Sequence, residues 1–295
     1  MPDKSFTALI KAREHDPFRV LGLHGTGDGW RLNVFLPRAK AVAVETADGW
    51  LSLSRQPGTD VFQGRGTAAM PSPYRLKVIE EGQQERIVLD PYAFPPETSE
   101  HDLYLFNSGT NIQSYRLWGA LAEGRKGVAG VCFRVWAPNA ERVSVLGDFN
   151  QWDGRTNPMA SLGASGVWEL FIPQLSADSL YKFEIRNRHT GAVAVKADPY
   201  ARSFEVRPAT AARVTAPTDY AWGDQAWLSQ RARWDWLHDP MNIYELHAGS
   251  WMRHPDGGFY TYRQLAERLP GYLMDMGYTQ DRKSTRLNSS HITIS

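Results

Sequence analysis

A single cysteine, Cys132, among 295 residues leaves no intrachain disulfide to form. The eight histidines show no HxxxH pair and no Cys/His ligand spacing, so neither a metal site nor a cofactor is expected. No window approaches the roughly 18 apolar residues of a membrane span. The N-terminus, Met1-Pro2-Asp3-Lys4-Ser5-Phe6, lacks the apolar stretch of a secretory signal. A soluble, cytoplasmic, monomeric protein is therefore expected. An excess of one charge is missing too: Lys and Arg total 33 against 32 Asp and Glu, with no basic block. That balance argues against nucleic acid or an anionic membrane as partner and suits a neutral, polyhydroxylated one.

What is present is apolar and aromatic residue, at 42% and 12% of the chain, enough for packed cores in about two domains. The organising stretch runs from Val131 to Trp152. Val131, Phe133 and Val135 alternate with Cys132, Arg134 and Trp136, the period of a half-buried strand. Pro138-Asn139 supplies a turn, Val143 and Val145 resume the alternation, and Gly147-Asp148 ends it. Phe149, Asn150, Gln151, Trp152 and Asp153 then set two aromatics among amides and an acid on a loop. A sugar ring packs its C–H face on an indole while its hydroxyls seek amide and carboxylate partners.

Upstream, Ser5 to Arg13 predicts a short helix with Phe6, Leu9 and Ile10 on one face, stopped before Pro17. Strands are predicted at 30–36, 41–45 and 74–80, punctuated by Asp48-Gly49 and Glu81-Gly82. Part of this order recurs. Phe35, Pro37, Val42 and Val44 match Trp136, Pro138, Val143 and Val145 at an offset of 101. Tyr74 matches Tyr181 at 107, and Asp90-Pro91-Tyr92-Ala93 matches Asp198-Pro199-Tyr200-Ala201 at 108. Three landmarks in one order indicate a duplicated domain. The predicted fold is mostly β: two tandem immunoglobulin-like β-sandwiches, 1–110 and 111–225, then a linker and first strand–helix unit of a truncated (β/α)8 barrel at 226–279. In that last part Ile243 to His247 predicts a strand. Thr261 with Gln264 predicts a capping box opening a helix that carries Pro270 and ends at Gly277. Beyond residue 279 the chain is polar and basic, with no strand-length apolar run before a weak Ile292/Ile294 alternation, so 280–295 is expected to be a non-native tail.

On these motifs the chain resembles the N-terminal part of the bacterial glycogen branching enzymes, 1,4-α-glucan branching enzymes of the α-amylase superfamily. His15-Asp16-Pro17-Phe18, Leu21-Gly22-Leu23-His24, Asp90 to Phe94 and Asp102 to Phe106 resemble their first module. Phe133 to Ala140 and Gly147-Asp148-Phe149-Asn150 resemble a glycogen-binding sandwich, and Ile243 to His247 with Gly249-Ser250-Trp251 resembles the first barrel strand. The resemblance implies a hexosyltransferase that cleaves α-1,4-glucan chains and rejoins them as α-1,6 branches, with glycogen as partner. It assigns no catalytic residue here, because the family's carboxylates lie on later barrel strands; Glu245 and Asp239 lack a suitably spaced partner. The chain alone is expected to be inactive. Alternatives are a stand-alone glucan-binding or regulatory module, or the front of a debranching or trehalose-releasing hydrolase.

The resemblance also implies glucan contacts at Trp152 and Lys182, with Asn150 beside them, and a second tryptophan where Thr190-Gly191-Ala192-Val193 stands instead. The plainer alternatives are a loop indole packed on its own domain, a solvated lysine, and Asn150 and Asp153 bonding their own turn. Trp222, Trp227, Trp234 and Trp236 are expected to seal a domain junction, and Cys132 to be an inert structural thiol.

Overall fold

The computed structural model describes residues 6–80, 82, 85–216 and 220–284. The chain forms two compact units, Met1–Thr218 and Asp219–Ser295.

The predicted N-terminal helix shrinks to α1 (Thr7–Ile10), because Ala12 enters the left-handed region at φ 51° and Pro17 follows. Seven strands then form one sheet: β1 (Gly22–Thr26), β2 (Gly29–Phe35), β3 (Ala39–Thr46), β4 (Gly49–Arg55), β5 (Val61–Gly66), β6 (Arg75–Glu80) and β7 (Arg86–Leu89), in the order β1-β2-β5-β4-β3-β6-β7. β4 pairs with β3 over five residues but with β5 only at Ser54↔Gln63 and Arg55↔Phe62. The sheet curls over at that short join. Leu32, Val34, Val42, Val44, Phe62, Leu76 and Val78 fill the inside of the curl.

Helix α2 (Glu100–Asn107), capped by the Ser99 hydroxyl, leads to a second group of strands. β8 (Gly119–Arg125), β9 (Val128–Trp136), β11 (Ala160–Ser161) and β12 (Val167–Pro173) form one sheet. β10 (Ala140–Gly147), β13 (Leu180–Asn187), β14 (Val193–Lys196), β15 (Ser203–Phe204) and β16 (Ala212–Arg213) form the other. Phe133, Val143, Val145, Leu170, Tyr181 and Phe183 pack between them. Mostly β architecture with curled sheets is therefore observed.

β9 corrects the half-buried reading: Val131 to Val135 are all buried. One face points into the paired sheets, while Cys132 joins Phe171 of β12 in the core of the N-terminal sheet. Conversely Phe6, Leu9, Leu21, Phe35, Val61 and Tyr92 belong to the core of the paired sheets. The two strand groups share their interiors. Glu169 on β12, fully buried, clasps the segment between them. Its Oε1 accepts from Arg125 Nη2 at 2.6 Å and from the Glu97 amide at 3.0 Å, and Oε2 accepts from the Thr98 amide at 3.2 Å and lies 3.4 Å from Arg134 Nε. Burial works to raise the Glu169 carboxyl, but the Arg134 charge, the Thr98 hydroxyl, the Glu97 amide and Arg125 outweigh it and hold it down to about 2. Cys132 sits against Arg125 Nη2 at 3.2 Å, its thiol pushed up by burial. A buried thiol held in that form is a poor nucleophile.

The duplicated landmarks carry one contact twice. Tyr74 donates to Asp90 and Tyr181 to Asp198, both at 2.6 Å, and the second oxygen of each carboxylate accepts the amide two residues on, from Tyr92 at 3.0 Å and Tyr200 at 2.8 Å.

In the second unit, α3 (Gln225–Arg231) precedes β17 (Ile243–His247), α4 (Tyr262–Asp275) and β18 (Gln280–Ser284). The Thr261–Gln264 capping box opens α4, Pro270 lies inside it, and Gly277 follows it at φ 74°. Tyr244 of β17 takes the Trp251 indole N–H at 2.9 Å, and both rings pack on Tyr272 of α4. β18 pairs in parallel with β17, so a strand follows α4 where the polar composition predicts none. Its backbone bonds are supplied by β17 whatever side chains it carries. Ile292 and Ile294 lie outside the described residues. Glu245 faces Arg282 at 3.7 Å, a cation rather than a second carboxylate. Within this unit Trp222, Trp227 and Trp236 are exposed and Trp234 is half-buried. Tyr220 meets Trp222 edge-on and Arg231 lies over Trp227, contacts that leave most of each indole open.

Candidate functional site

The loop after β10 is built on Gly147, which leaves the strand fully extended and is followed by a single 3-10 turn, Asp148–Asn150. Asn150 lies beneath it, 5% exposed. Its Oδ1 accepts the Gly147 amide at 2.9 Å, and its Nδ2 donates to Val145 O at 3.0 Å and Asn157 Oδ1 at 2.8 Å. Both amide donors and one acceptor position are taken by β10 and the loop, so the Asn150 side chain is a clamp. The return segment bonds back to β10 through Val145 N–Asn157 O and Met159 N–Val143 O, then crosses to the other sheet as β11.

Above the clamp, Gln151 and Trp152 both adopt left-handed backbone, at φ 54° and 59°. Such residues cost on the order of 1–2 kcal/mol each outside glycine and persist only where neighbours fix them. Here the Trp152 amide donates to Gly147 O at 2.9 Å, and the indole Nε1 donates to Asp148 Oδ1 at 3.0 Å. Arg38, from the turn after β2, donates to Gln151 Oε1 and to Asn150 O. The result is a braced indole, 38% exposed. Asp153 is claimed by Arg155 at 2.7 Å, whose hydrogen bond is the main cause holding its carboxyl below the usual range.

Lys182 lies on β13 opposite Leu146, one residue from the Gly147↔Tyr181 pair that roots the loop. Trp152 and Lys182 thus reach the same end of this sheet. The ammonium donates to Thr210 Oγ1 at 2.7 Å, so any ligand shares it with that hydroxyl. At the position of the absent second tryptophan, Asn187 caps the His189 and Thr190 amides, and Val193 is exposed on β14. The loop therefore offers one aromatic platform. Sequence reasoning missed Asp148, which aims the indole, and Arg38, which braces the loop. Arg38 aligns with Asn139 in the internal repeat, but no local pattern places it beside residue 150. Among the described residues no group of three or more His, Cys, Asp or Glu is arranged to hold a metal ion, and no helix is long and apolar enough to cross a membrane.

Residues 2–92 match the family described as alpha-1,4-glucan branching enzyme GlgB, N-terminal domain, and residues 118–201 match carbohydrate-binding module 48, the isoamylase N-terminal domain. The chain is 53% identical over 281 residues to 1,4-alpha-glucan branching enzyme GlgB of Nitrosospira multiformis, covering 94% of this chain and 38% of that protein. It is 50% identical over 277 residues to the GlgB of Methylobacillus flagellatus, with the same coverage. Among solved structures, pullulanase type I from Bacillus subtilis is similar over 89% of this chain and 37% of that one, at 16% identity and a TM-score of 0.43. The chain spans about 38% of the length of these GlgB relatives. By sequence it resembles the N-terminal part of the bacterial 1,4-alpha-glucan branching enzymes, with their N-terminal domain at 2–92 followed by a carbohydrate-binding module 48 at 118–201.

Proposed function

We propose that this chain is the N-terminal part of a cytoplasmic glycogen branching enzyme, in which the loop bearing Trp152 holds α-glucan. The whole enzyme cuts an α-1,4 chain through a covalent glycosyl intermediate and transfers it to a 6-hydroxyl, chemistry that needs two carboxylates about 5–5.5 Å apart. We assign those carboxylates to the additional length of the relatives. The observation that carries this reading is the 53% identity over 281 residues to a protein of that name. Within the proposal, the strand groups of the first unit are two tandem immunoglobulin-like sandwiches, a view supported by the repeated Tyr–Asp contact. The second unit begins a (β/α)8 barrel with β17, α4 and β18. The strand at Gln280–Ser284 supports placing the start of any foreign tail beyond residue 284. The protein acts as a monomer on glycogen, with neither nucleic acid nor membrane as partner.

Trp152 supplies the C–H stacking face, and Lys182 a donor at the same end of the sheet. Co-sedimentation with glycogen tests this. The 295-residue chain should pellet with glycogen, and Trp152→Ala should weaken binding about tenfold, the loss of roughly 1.4 kcal/mol of stacking. Wild-type chain that stays in the supernatant, or a variant that binds equally well, refutes the assignment. An iodine-stained amylose assay with the chain alone should show no spectral shift, and a shift would show that it carries the chemistry itself.

A further inference from the structure

We infer that the cleft where the N-terminal sheet meets the 149–157 loop is a second α-glucan subsite, behind the platform of Trp152. This rests on the proposed function above. A cavity of about 270 Å³ opens there, with 34–38 and 86–92 on one side and Phe149, Asn157 and 172–175 on the other. A separate hollow of about 460 Å³ lies on the far side of Phe35, lined by 55–60 and Arg155. Ligand pockets typically enclose roughly 300–1,000 Å³, so the first cavity, just under that range, has room for the end of a glucan chain. The 149–157 loop is thus a wall with two sides: Trp152 is offered to solvent, and Phe149 and Asn157 face the cleft.

The chemistry of the lining selects among ligands. Arg86 is paired with Glu80 at 2.7 Å, Arg55 with Asp60, and Arg155 with Asp153 at 2.7 Å. Arg38 is engaged by two neutral oxygens, on Gln151 and Asn150. A phosphate or carboxylate ligand finds Arg55, Arg86 and Arg155 already neutralised, and Arg38 turned to the loop oxygens. A polyol, in contrast, can accept from guanidinium edges and donate to the paired carboxylates without bringing charge of its own. Phe149, half-buried in the cavity wall, adds apolar surface for sugar C–H groups. Gln174, exposed and held in left-handed backbone at φ 60° by its amide bond to Ala129 O, borders the cavity. Its side-chain amide has no hydrogen-bond partner among the described residues and is available to a hydroxyl.

Titration calorimetry of the 295-residue chain with maltoheptaose tests this, using wild type, Trp152→Ala, and Gln174→Ala, which removes the free amide at the cavity rim. Hydrogen exchange of the wild type with and without maltoheptaose locates the contacts independently of any variant. The expected result is binding that survives in Trp152→Ala, falls about fivefold in Gln174→Ala, and protects 86–91 and 172–175. Wild-type binding with protection confined to 148–153 and no effect of Gln174→Ala overturns the cleft while leaving the Trp152 site standing. No binding by wild type overturns both. Maltoheptaose displaced by inorganic phosphate would overturn the polyol assignment in favour of an anion.

Discussion

A Cβ atom on Gly147 would stand 2.0 Å from the carbonyl oxygen of Leu180, the residue that opens the neighbouring strand. The nearest obstacle is backbone, and the Phe149 ring crowds the same Cβ at 2.6 Å. Gly147 is where β10 passes into the clamped loop, so the close approach fixes the point from which Trp152 is displayed.

Gly147→Ala should therefore separate β10 from β13 at this end and disturb the loop with them. The expected loss is at least about 2 kcal/mol of unfolding free energy, measured by urea titration, together with weaker glycogen binding. Full stability with undisturbed binding would mean that the strand end can yield at no cost.

Tyr181→Phe removes the phenol that donates to buried Asp198 and leaves a carboxylate oxygen without its donor. A buried acceptor stranded in this way costs about 1–3 kcal/mol. Tyr74→Phe should behave alike through Asp90. Matched losses in the two variants are the expected reading from denaturant melts. A large loss in one copy and none in the other would show that the repeated contact has kept its energetic role only once.

Burial raises the Asp90 carboxyl to about 6, against the lowering effect of Tyr74 and the Tyr92 amide. Between the ordinary value of 3.8 and about 6, the folded protein keeps a proton that the unfolded chain has released. Stability should accordingly fall as pH climbs through that window, by up to roughly 3 kcal/mol. Asp198, raised by burial as well, adds a slope of the same sign. Thermal melts at pH 4, 5, 6 and 7 check this: Asp90→Asn should reduce the slope, and the double variant with Asp198→Asn should flatten it further. An undiminished slope in the double variant would place its origin elsewhere.

Glu169 behaves in the opposite sense. Held down to about 2, it contributes stability that is fully present above its ordinary 4.5 and lost as pH falls toward 2. Glu169→Gln leaves Arg125 and Arg134 buried with one fewer counter-charge. Breaking a buried pair from one side costs about 3–5 kcal/mol, so the variant should unfold at distinctly lower urea and lose its acid-induced transition near pH 2–4.5. Wild-type acid behaviour in the variant would count against the assignment.

Much of the fold was legible because its signals are local. The strand through 131–135, the turn at Pro138 and the Thr261–Gln264 capping box concern residues a few positions apart, and all three are formed, though that strand is buried on both faces. The duplicated Tyr and Asp landmarks were visible as spacing, though not as the hydrogen bonds that join them. What escaped depends on partners far along the chain. Arg134 occupies a position that alternation gives to solvent, and its burial is made tolerable by partners such as Glu123 and Glu169, the latter 35 residues away. β18 is held by backbone pairing, which composition does not register. At the candidate site, Trp152 was legible as an aromatic on a polar loop. The buried clamp role of Asn150 was foreseen as the plainer alternative, because asparagine so often bonds its own turn.

The shared interior of the two strand groups bears on how such a chain can be cut. Phe171 and Cys132 lie in one core while their own strands build the other, and Phe6 and Leu9 make the reverse crossing. A gene fragment encoding either repeat alone would present the other's missing surface to water, along with Glu169 or its arginines stripped of company. The sequence repeats, but the repeats have ceased to be interchangeable parts. Recombination that shuffles this pair must carry both copies together or lose both.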